Sequence, residues 1–220
     1  MADQGPRWGM VLDVERCTGC HACSVACKVE NDVPLGNFRT KVYYHDRGTF
    51  PQARRDFLPV VCMQCADAPC MKSCPTQSIV RLENGIVHIN QETCQGFGKC
   101  EDACPYGAIY VDPQRNVADK CNFCEHRLEA GMEPACVETC PGEVFVFGDL
   151  NDPNSRISRF AAEHADELKV LKPGEKTQPQ VRYRGHRREM ERKVPKGRNH
   201  DPRSYEIQTW ATLRPTFDED

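Results

Sequence analysis

Apolar positions along this chain come in short blocks separated by polar turns. "WGMVLD" (8–13) and "EVFVFGD" (143–149) are apolar runs of strand length. Ile79, Val80 and Leu82 precede Asn84-Gly85, and Ile86, Val87 and Ile89 follow it. That pattern predicts a β-hairpin, because Asn-Gly between apolar strands is the strongest short hairpin signal. "GAIYVDPQRNVADKC" (107–121) predicts a second hairpin with Asp112-Pro113 in its turn. Helical spacing is clearest from Pro153 to Leu168, where Ile157, Phe160, Ala161, His164 and Leu168 share a face behind Ser155 as N-cap. This segment reads as an amphipathic helix lying on the body of the protein or on a partner, with His164 structural rather than a ligand. From about Lys172 the pattern dissolves into prolines, glycines and charges, which reads as an extended arm.

Composition shows what these blocks lack. The chain has 220 residues, a formal charge of −3 and 39% hydrophobic content, with a mean hydropathy of −0.64. One or two small domains fit that length, but a large apolar core does not fit that content. The fifteen cysteines are the candidate substitute. A secreted disulfide framework wants an even count and a leader. The count is odd, and "MADQGPRWGM" has neither an apolar core nor a twin arginine, so no signal peptide is expected. Structural zinc wants four ligands per ion, commonly from separated CxxC pairs. Here the cysteines form tight runs almost free of histidine. No apolar stretch reaches the roughly 18–20 residues that span a bilayer, so the expectation is a soluble or peripheral protein with no transmembrane helix of its own.

The cysteines fall into four groups. Cys17, Cys20, Cys23 and Cys27 are spaced C-x2-C-x2-C-x3-C. Cys62, Cys65, Cys70 and Cys74 are spaced C-x2-C-x4-C-x3-C-P. Cys94, Cys100 and Cys104 form a shorter third group ending in Pro105, and Cys121, Cys124, Cys136 and Cys140 are spaced C-x2-C-x11-C-x3-C-P. A short C-x2-C-x2-C loop wraps three corners of an iron–sulfur cube. The cysteine three residues on ligates the other cluster in two-cluster ferredoxins, so the groups are expected to work in pairs. Proline after Cys74, Cys104 and Cys140 turns the chain out of the loop, whereas Cys27 is followed by Lys28. Short helices are expected after Cys23, Cys70, Cys100 and Cys136. The whole reads as an α+β, ferredoxin-like pattern built twice.

Groups one and three repeat each other. "DVERCTGC" (13–20) lies over "NQETCQGF" (90–97), so Glu15 matches Glu92, Gly19 matches Gly96, Cys23 matches Cys100 and Cys27 matches Cys104. Phe97 then stands where the first group has Cys20. An iron at a corner without a protein ligand is easily lost, and a bulky ring leaves no room for water to replace the thiolate.

Arg182, Arg184, Arg187, Arg188, Arg192, Lys193, Lys196, Arg198 and Arg203 make the tail basic. The negative net charge and the lack of interleaved aromatics argue against nucleic acid. A partner-wrapping arm anchored by Tyr205, Ile207, Trp210 and Leu213 is expected instead. No Ser/His/Asp set or phosphate-binding glycine loop marks an active site, and charged pairs such as Glu101-Asp102 read as solvated faces.

These groups, with "ENDVPLGNFRT", "GTFPQARRDFLPVVCMQCADAPC" and "KCNFCEHRLEAGMEPACVETCP" between them, resemble the iron–sulfur electron-transfer subunits of the dimethyl sulfoxide reductase superfamily of molybdoenzymes. The resemblance covers about residues 8 to 185, and the joining stretches look closest to the sulfite dehydrogenase and arsenate/arsenite members. It implies two interleaved ferredoxin-like units, 8–57 with 117–150 and 58–116, followed by a helix and tail over 151–220. It further implies four clusters. Cys17, Cys20, Cys23 and Cys140 would hold one [4Fe–4S] cluster, Cys27, Cys121, Cys124 and Cys136 a second, and Cys62, Cys65, Cys70 and Cys104 a third. Cys74, Cys94 and Cys100 would hold a [3Fe–4S] cluster, because relatives such as the nitrate reductase subunit have tryptophan where Phe97 stands. The implied partner is a large catalytic subunit carrying molybdopterin (bis-guanine dinucleotide), with a membrane anchor, quinone or cytochrome at the other end. The chain itself would have no active site. The implied location is cytoplasmic, or periplasmic by co-export with the partner. The competing reading is a free-standing soluble polyferredoxin.

Overall fold

In a computed structural model that describes residues 5–197, the chain opens with β1 (Trp8–Asp13), α1 (Ala22–Glu30), β2 (Lys41–Arg47) and β3 (Arg54–Val60). There follow α2 (Pro69–Lys72), β4 (Ile79–Arg81), β5 (Val87–Ile89), α3 (Lys99–Ala103), β6 (Ile109–Val111) and β7 (Ala118–Lys120). The remainder is α4 (Glu125–Glu129), α5 (Ala135–Glu138), β8 (Phe145–Asp149), α6 (Arg156–Glu163), β9 (Val181–Arg184) and α7 (Arg188–Glu191). Helices and strands are mixed throughout, and no helix among the described residues is long and apolar enough to cross a membrane.

The two predicted flanking strands meet. β1 is the middle strand of a three-stranded sheet, antiparallel to β8 with Met10 opposite Phe147, and parallel to β9 with Leu12 opposite Tyr183. Both faces of this sheet are covered, which is why its strands read as unbroken apolar runs. Met10, Leu12, Phe145, Phe147, Val181 and Tyr183 point into the main core. Val11 and Val146 point the other way and pack under Ile157 of α6, with Leu150, Phe160 and Leu168 around them.

The expected amphipathic helix therefore lies on the chain's own body. Ser155 Oγ accepts from the Ser158 N–H at 3.2 Å, satisfying one of the free donors at the helix start. The helix stops at Glu163, short of the expected Leu168, and His164 becomes its C-cap and pairs with Glu167 at 2.9 Å.

Both predicted hairpins form, as β4–β5 and β6–β7. In the second, Asp112 Oδ1 accepts from the N–H groups of Gln114 and Arg115 at 2.8 and 3.1 Å and shapes the turn. The longest hairpin, β2–β3, pairs Lys41 with Val60 through Arg47 with Arg54, and its pattern does not announce it. Its outer half is charged on both strands and is held by pairs of Arg55 with Asp46 (2.5 Å) and Arg47 with Asp56 (2.7 Å). Glu101, expected on a solvated face, is buried; it lies in the first turn of α3, where a carboxylate is favoured by the helix's free N–H groups.

The tail departs most from expectation. Leu171, Val181, Tyr183, Met190 and Val194 are buried, so residues up to 197 pack on the chain itself. Backbone hydrogen bonds from Ala66 to Gln178 (2.8 Å), Gln180 to Met63 (3.0 Å) and Gly197 to Cys104 (2.8 Å) tie it down. Several of its basic residues are paired internally: Arg184 with Asp13 and Glu167, and Lys196 with Glu175. Arg198, Arg203 and the anchor residues Tyr205, Ile207, Trp210 and Leu213 lie outside the described residues.

His186 makes this packing sensitive to acid. It is buried, shares a contact with the Tyr183 ring and meets Glu191 at 3.0 Å. Burial lowers its pKa; Glu191 opposes this, while Lys169 and Arg188 add to it. The folded chain therefore prefers neutral His186, and the stability this confers, full above about pH 6.5, is lost as pH falls below that value. Amide-exchange protection in residues 181–194 is expected to fall from pH 7 to pH 5. His186→Gln should flatten that dependence, and an unchanged slope in the variant would refute the assignment.

Candidate metal centres

Each cysteine group opens on the same backbone kink. Two residues after the first cysteine, Gly19, Gln64, Gly96 and Phe123 all have positive φ, at 70°, 47°, 68° and 58°. Only two are glycines, and the other two are secured by burial. Gln64 donates to the Cys121 carbonyl at 2.7 Å and accepts from the Val87 N–H at 2.8 Å. Phe123 packs edge-on to Phe147 with ring centroids 5.3 Å apart. At Gly19 no side chain fits, since a Cβ would lie 2.2 Å from Phe57 Cε1.

The proline after a group's last cysteine sets helix length. α2, α3 and α5 all stop before Cys74-Pro75, Cys104-Pro105 and Cys140-Pro141, because a residue preceding proline is pushed out of the helical region. Cys104 accordingly has φ −76° and ψ 116°. α1 meets no proline after Cys27 and runs on to Glu30.

The helices bring distant cysteines together. α1 carries Cys23 and Cys27 and packs against α5, which carries Cys136 and leads to Cys140. α2 carries Cys70 and leads to Cys74; it packs against α3, which carries Cys100 and leads to Cys104. One small cavity is lined by Cys17, Cys20, Cys23 and Cys140. Another is lined by Cys62, Cys65, Cys70 and Cys104.

Electrostatics reports the same neighbourhoods. Burial, then like charge at Cys140, Cys17 and Cys20, pushes the Cys23 thiol up to about 12. Burial, then Cys62, Cys104 and Cys65, does the same to Cys70. Cys136 is pushed far up by burial and then by Cys121, Cys27 and Cys124, and Cys100 to about 11 by burial and then Cys94 and Cys74. Cys74 differs. Burial raises its pKa, but the Thr76 hydroxyl and the N–H groups of Ser78, Thr76 and Ile79 outweigh that and lower it. Two weaker electrostatic influences run between the sets. Cys23 adds to the shift of Cys136, and Cys62 adds to that of Cys121.

Buried thiolates that repel one another call for positive charge among them, and iron supplies it. All fifteen cysteines are free, and backbone N–H groups point at their sulfurs: Ala118 at Cys94 (3.3 Å), Phe123 at Cys121 (3.4 Å) and Val144 at Cys140 (3.4 Å). Such donors stabilise sulfur-bound negative charge. Lys120 is buried as well; its ammonium donates to the Val87 and Cys121 carbonyls and eases the charge at Cys70 and Cys104. The donor sets thus fit iron–sulfur clusters.

Phe97 lies beside the Cys94 set, 54% exposed, between Gly96 and Gly98, which both have positive φ. The ring is not wedged into the protein as expected. The loop turns outward here, as it does at the matching Cys20, which is also exposed.

A family model described as a 4Fe-4S dicluster domain matches residues 53–150, and one described as a 4Fe-4S binding domain matches residues 8–29. The chain is 44% identical over 181 residues to the B subunit of tetrathionate reductase from Salmonella typhimurium, covering 81% of this chain and 72% of that one. The arsenate respiratory reductase iron–sulfur subunit of Shewanella sp. is 34% identical over 225 residues, covering 80% of this chain and 95% of that one. The chain belongs to the iron–sulfur electron-transfer subunits of molybdoenzyme reductases. The B subunit of polysulfide reductase from Wolinella succinogenes, 42% identical over 159 residues, covering 71% of this chain and 83% of that one, is a third such relative. As a member of these subunits the chain moves electrons within a reductase complex and works with a catalytic partner. Of these three, the tetrathionate and polysulfide relatives are more alike to it than the arsenate one.

Sequence reasoning did not single out Gln64, Lys120, Asn31 or Arg39. The one signal was Lys28, standing where the other groups have proline.

Proposed function

We propose that this subunit relays single electrons through three [4Fe–4S] clusters and one [3Fe–4S] cluster arranged in a row. Cys17, Cys20, Cys23 and Cys140 hold the first, Cys27, Cys121, Cys124 and Cys136 the second, and Cys62, Cys65, Cys70 and Cys104 the third. Cys74, Cys94 and Cys100 hold the [3Fe–4S] cluster. The observation that carries the row is the hydrogen bond from Gln64, which stands between Cys62 and Cys65, to the Cys121 carbonyl at 2.7 Å, which joins the α1–α5 pair of sets to the α2–α3 pair. In this reading the two pairs are the interleaved units 8–57 with 117–150 and 58–116.

The clusters supply one-electron carriage when bound. The chain supplies what makes that useful: thiolates held in place by paired helices, N–H groups aimed at sulfur, and walls such as Val87, Ile109 and Phe145 that keep water out. One end of the row meets a catalytic subunit carrying molybdopterin bis-guanine dinucleotide, whose substrate, by the relatives' names, is an oxidised sulfur or arsenic species. The other meets a membrane anchor, quinone or cytochrome. The subunit is soluble or peripheral, in the cytoplasm or exported folded with its partner.

Iron analysis of the anaerobically purified protein is expected to give about fifteen irons per chain, three fours and one three. The oxidised protein should show a near-isotropic EPR signal. Sixteen irons without that signal would reject the [3Fe–4S] assignment, and zinc in place of iron would reject the whole reading.

A further inference from the structure

Because α1 runs past Cys27 to Glu30, its C-cap is Asn31. The Asn31 side-chain amide donates to the Cys27 carbonyl at 3.0 Å and faces two sulfurs, Cys27 Sγ at 3.6 Å and Cys124 Sγ at 3.7 Å. Its orientation is dictated from behind. Asn31 Oδ1 accepts from Arg39 Nη1 at 2.6 Å, and arginine has no acceptor, so the NH2 group must face the sulfurs. Arg39 is held in turn by a two-point pair with Asp119, 2.9 Å from Nε and 2.7 Å from Nη2. Its Nη1 also reaches Asn122 Oδ1 at 3.3 Å. The pair is largely buried, with side chains 10% and 5% exposed, and the Tyr110 hydroxyl donates to the same carboxylate. Arg39 and Asp119 offset each other's charge, so their effect on the neighbouring thiolates is mainly geometric: they aim one amide.

We propose that Asn31, aimed by Arg39, raises the reduction potential of the cluster held by Cys27, Cys121, Cys124 and Cys136. The inference rests on the four-cluster reading above. The reduced cluster carries one more negative charge, and an N–H donor shared by two of its sulfurs stabilises that state more than the oxidised one. Asn31 and Arg39 are positioning residues that tune one step of the row without ligating iron. A proline in place of Lys28 would end the helix early and remove the device.

The test is an EPR-monitored redox titration of the iron-loaded full chain. Asn31→Leu should shift the reduced-to-oxidised ratio of one cluster about tenfold toward oxidised at fixed potential, a fall of ~59 mV for one electron. Iron content and the other three potentials should stay as in the wild type. Arg39→Lys, which keeps the charge facing Asp119 but loses the fork that reaches Asn31, should shift the same cluster in the same direction by less. If Asn31→Leu loses iron, Asn31→Ala, smaller, uncharged and without the N–H donor, carries the test on the same readout. Full iron with four unchanged potentials overturns this inference alone. A wild-type chain without four redox-active clusters overturns the four-cluster reading, and this inference with it.

Discussion

Removing the iron is expected to abolish the tertiary structure of this subunit. Ten of the fifteen cysteines are buried, and they are part of the main core rather than an addition to it. Cys23, Cys62, Cys70, Cys104, Cys121 and Cys136 all pack in the same cluster as Met10, Leu58 and Phe145. Without metal, those core positions hold thiols around cavities, and every contact that bridges α1 to α5 or α2 to α3 through iron is gone. α2 and α5 have only four residues each, too short to persist in water unaided. Because such sites do not exist in the unfolded chain, the free energy of metal binding is folding free energy. Across the four clusters proposed above, that exceeds the ~5–15 kcal/mol by which a domain is normally stable. Near-UV circular dichroism should collapse on anaerobic chelation, and amide protection should fall first around the two helix pairs. A metal-free chain that melts cooperatively within a few degrees of the loaded one would refute this.

Phe97→Cys is expected to convert the proposed [3Fe–4S] cluster into a fourth cube. The substitution opens no cavity, because the ring is 54% exposed. The backbone needs no adjustment either, because Gly96 and Gly98 hold the loop at φ 68° and 70°, and the first group holds Gly19 and His21 at 70° and 61° around Cys20. A thiol at position 97 therefore stands as Cys20 stands. Iron should rise from about fifteen to about sixteen per chain, and the near-isotropic signal of the oxidised protein should vanish. Phe97→Ala, which removes the ring without adding a ligand, should leave both as they were. If the cysteine variant keeps the iron count and signal of the wild type, the cluster beside Phe97 is not limited by a missing thiolate.

The two predictions draw on different kinds of information. The cysteine groups, the repeat that exposes Phe97 and the Asn84-Gly85 hairpin are local patterns, legible because their chemistry lies within a dozen residues. The same holds for the N-cap at Ser155 and the prolines that end three helices. The kinks at Gln64 and Phe123 were not legible, since neither residue advertises positive φ and both are held by contacts far along the chain. β2–β3 was hidden by its charges, which pair only across the finished hairpin.

By itself, the sequence determined that this is an iron–sulfur protein with four cysteine groups, that one group lacks a thiol, and roughly where its hairpins and flanking strands lie. Only the tertiary structure decided that Gln64, between Cys62 and Cys65, reaches the Cys121 carbonyl, and that residues 172–197 fold back as β9 and α7 onto the core. It alone decided that Asn31, held by Arg39, meets two sulfurs. The reason is the range of the interactions. Ligand spacing is written between neighbours in the chain. Burial, charge and hydrogen bonding act through space, between residues such as Arg39 and Asp119 that the sequence keeps 80 positions apart.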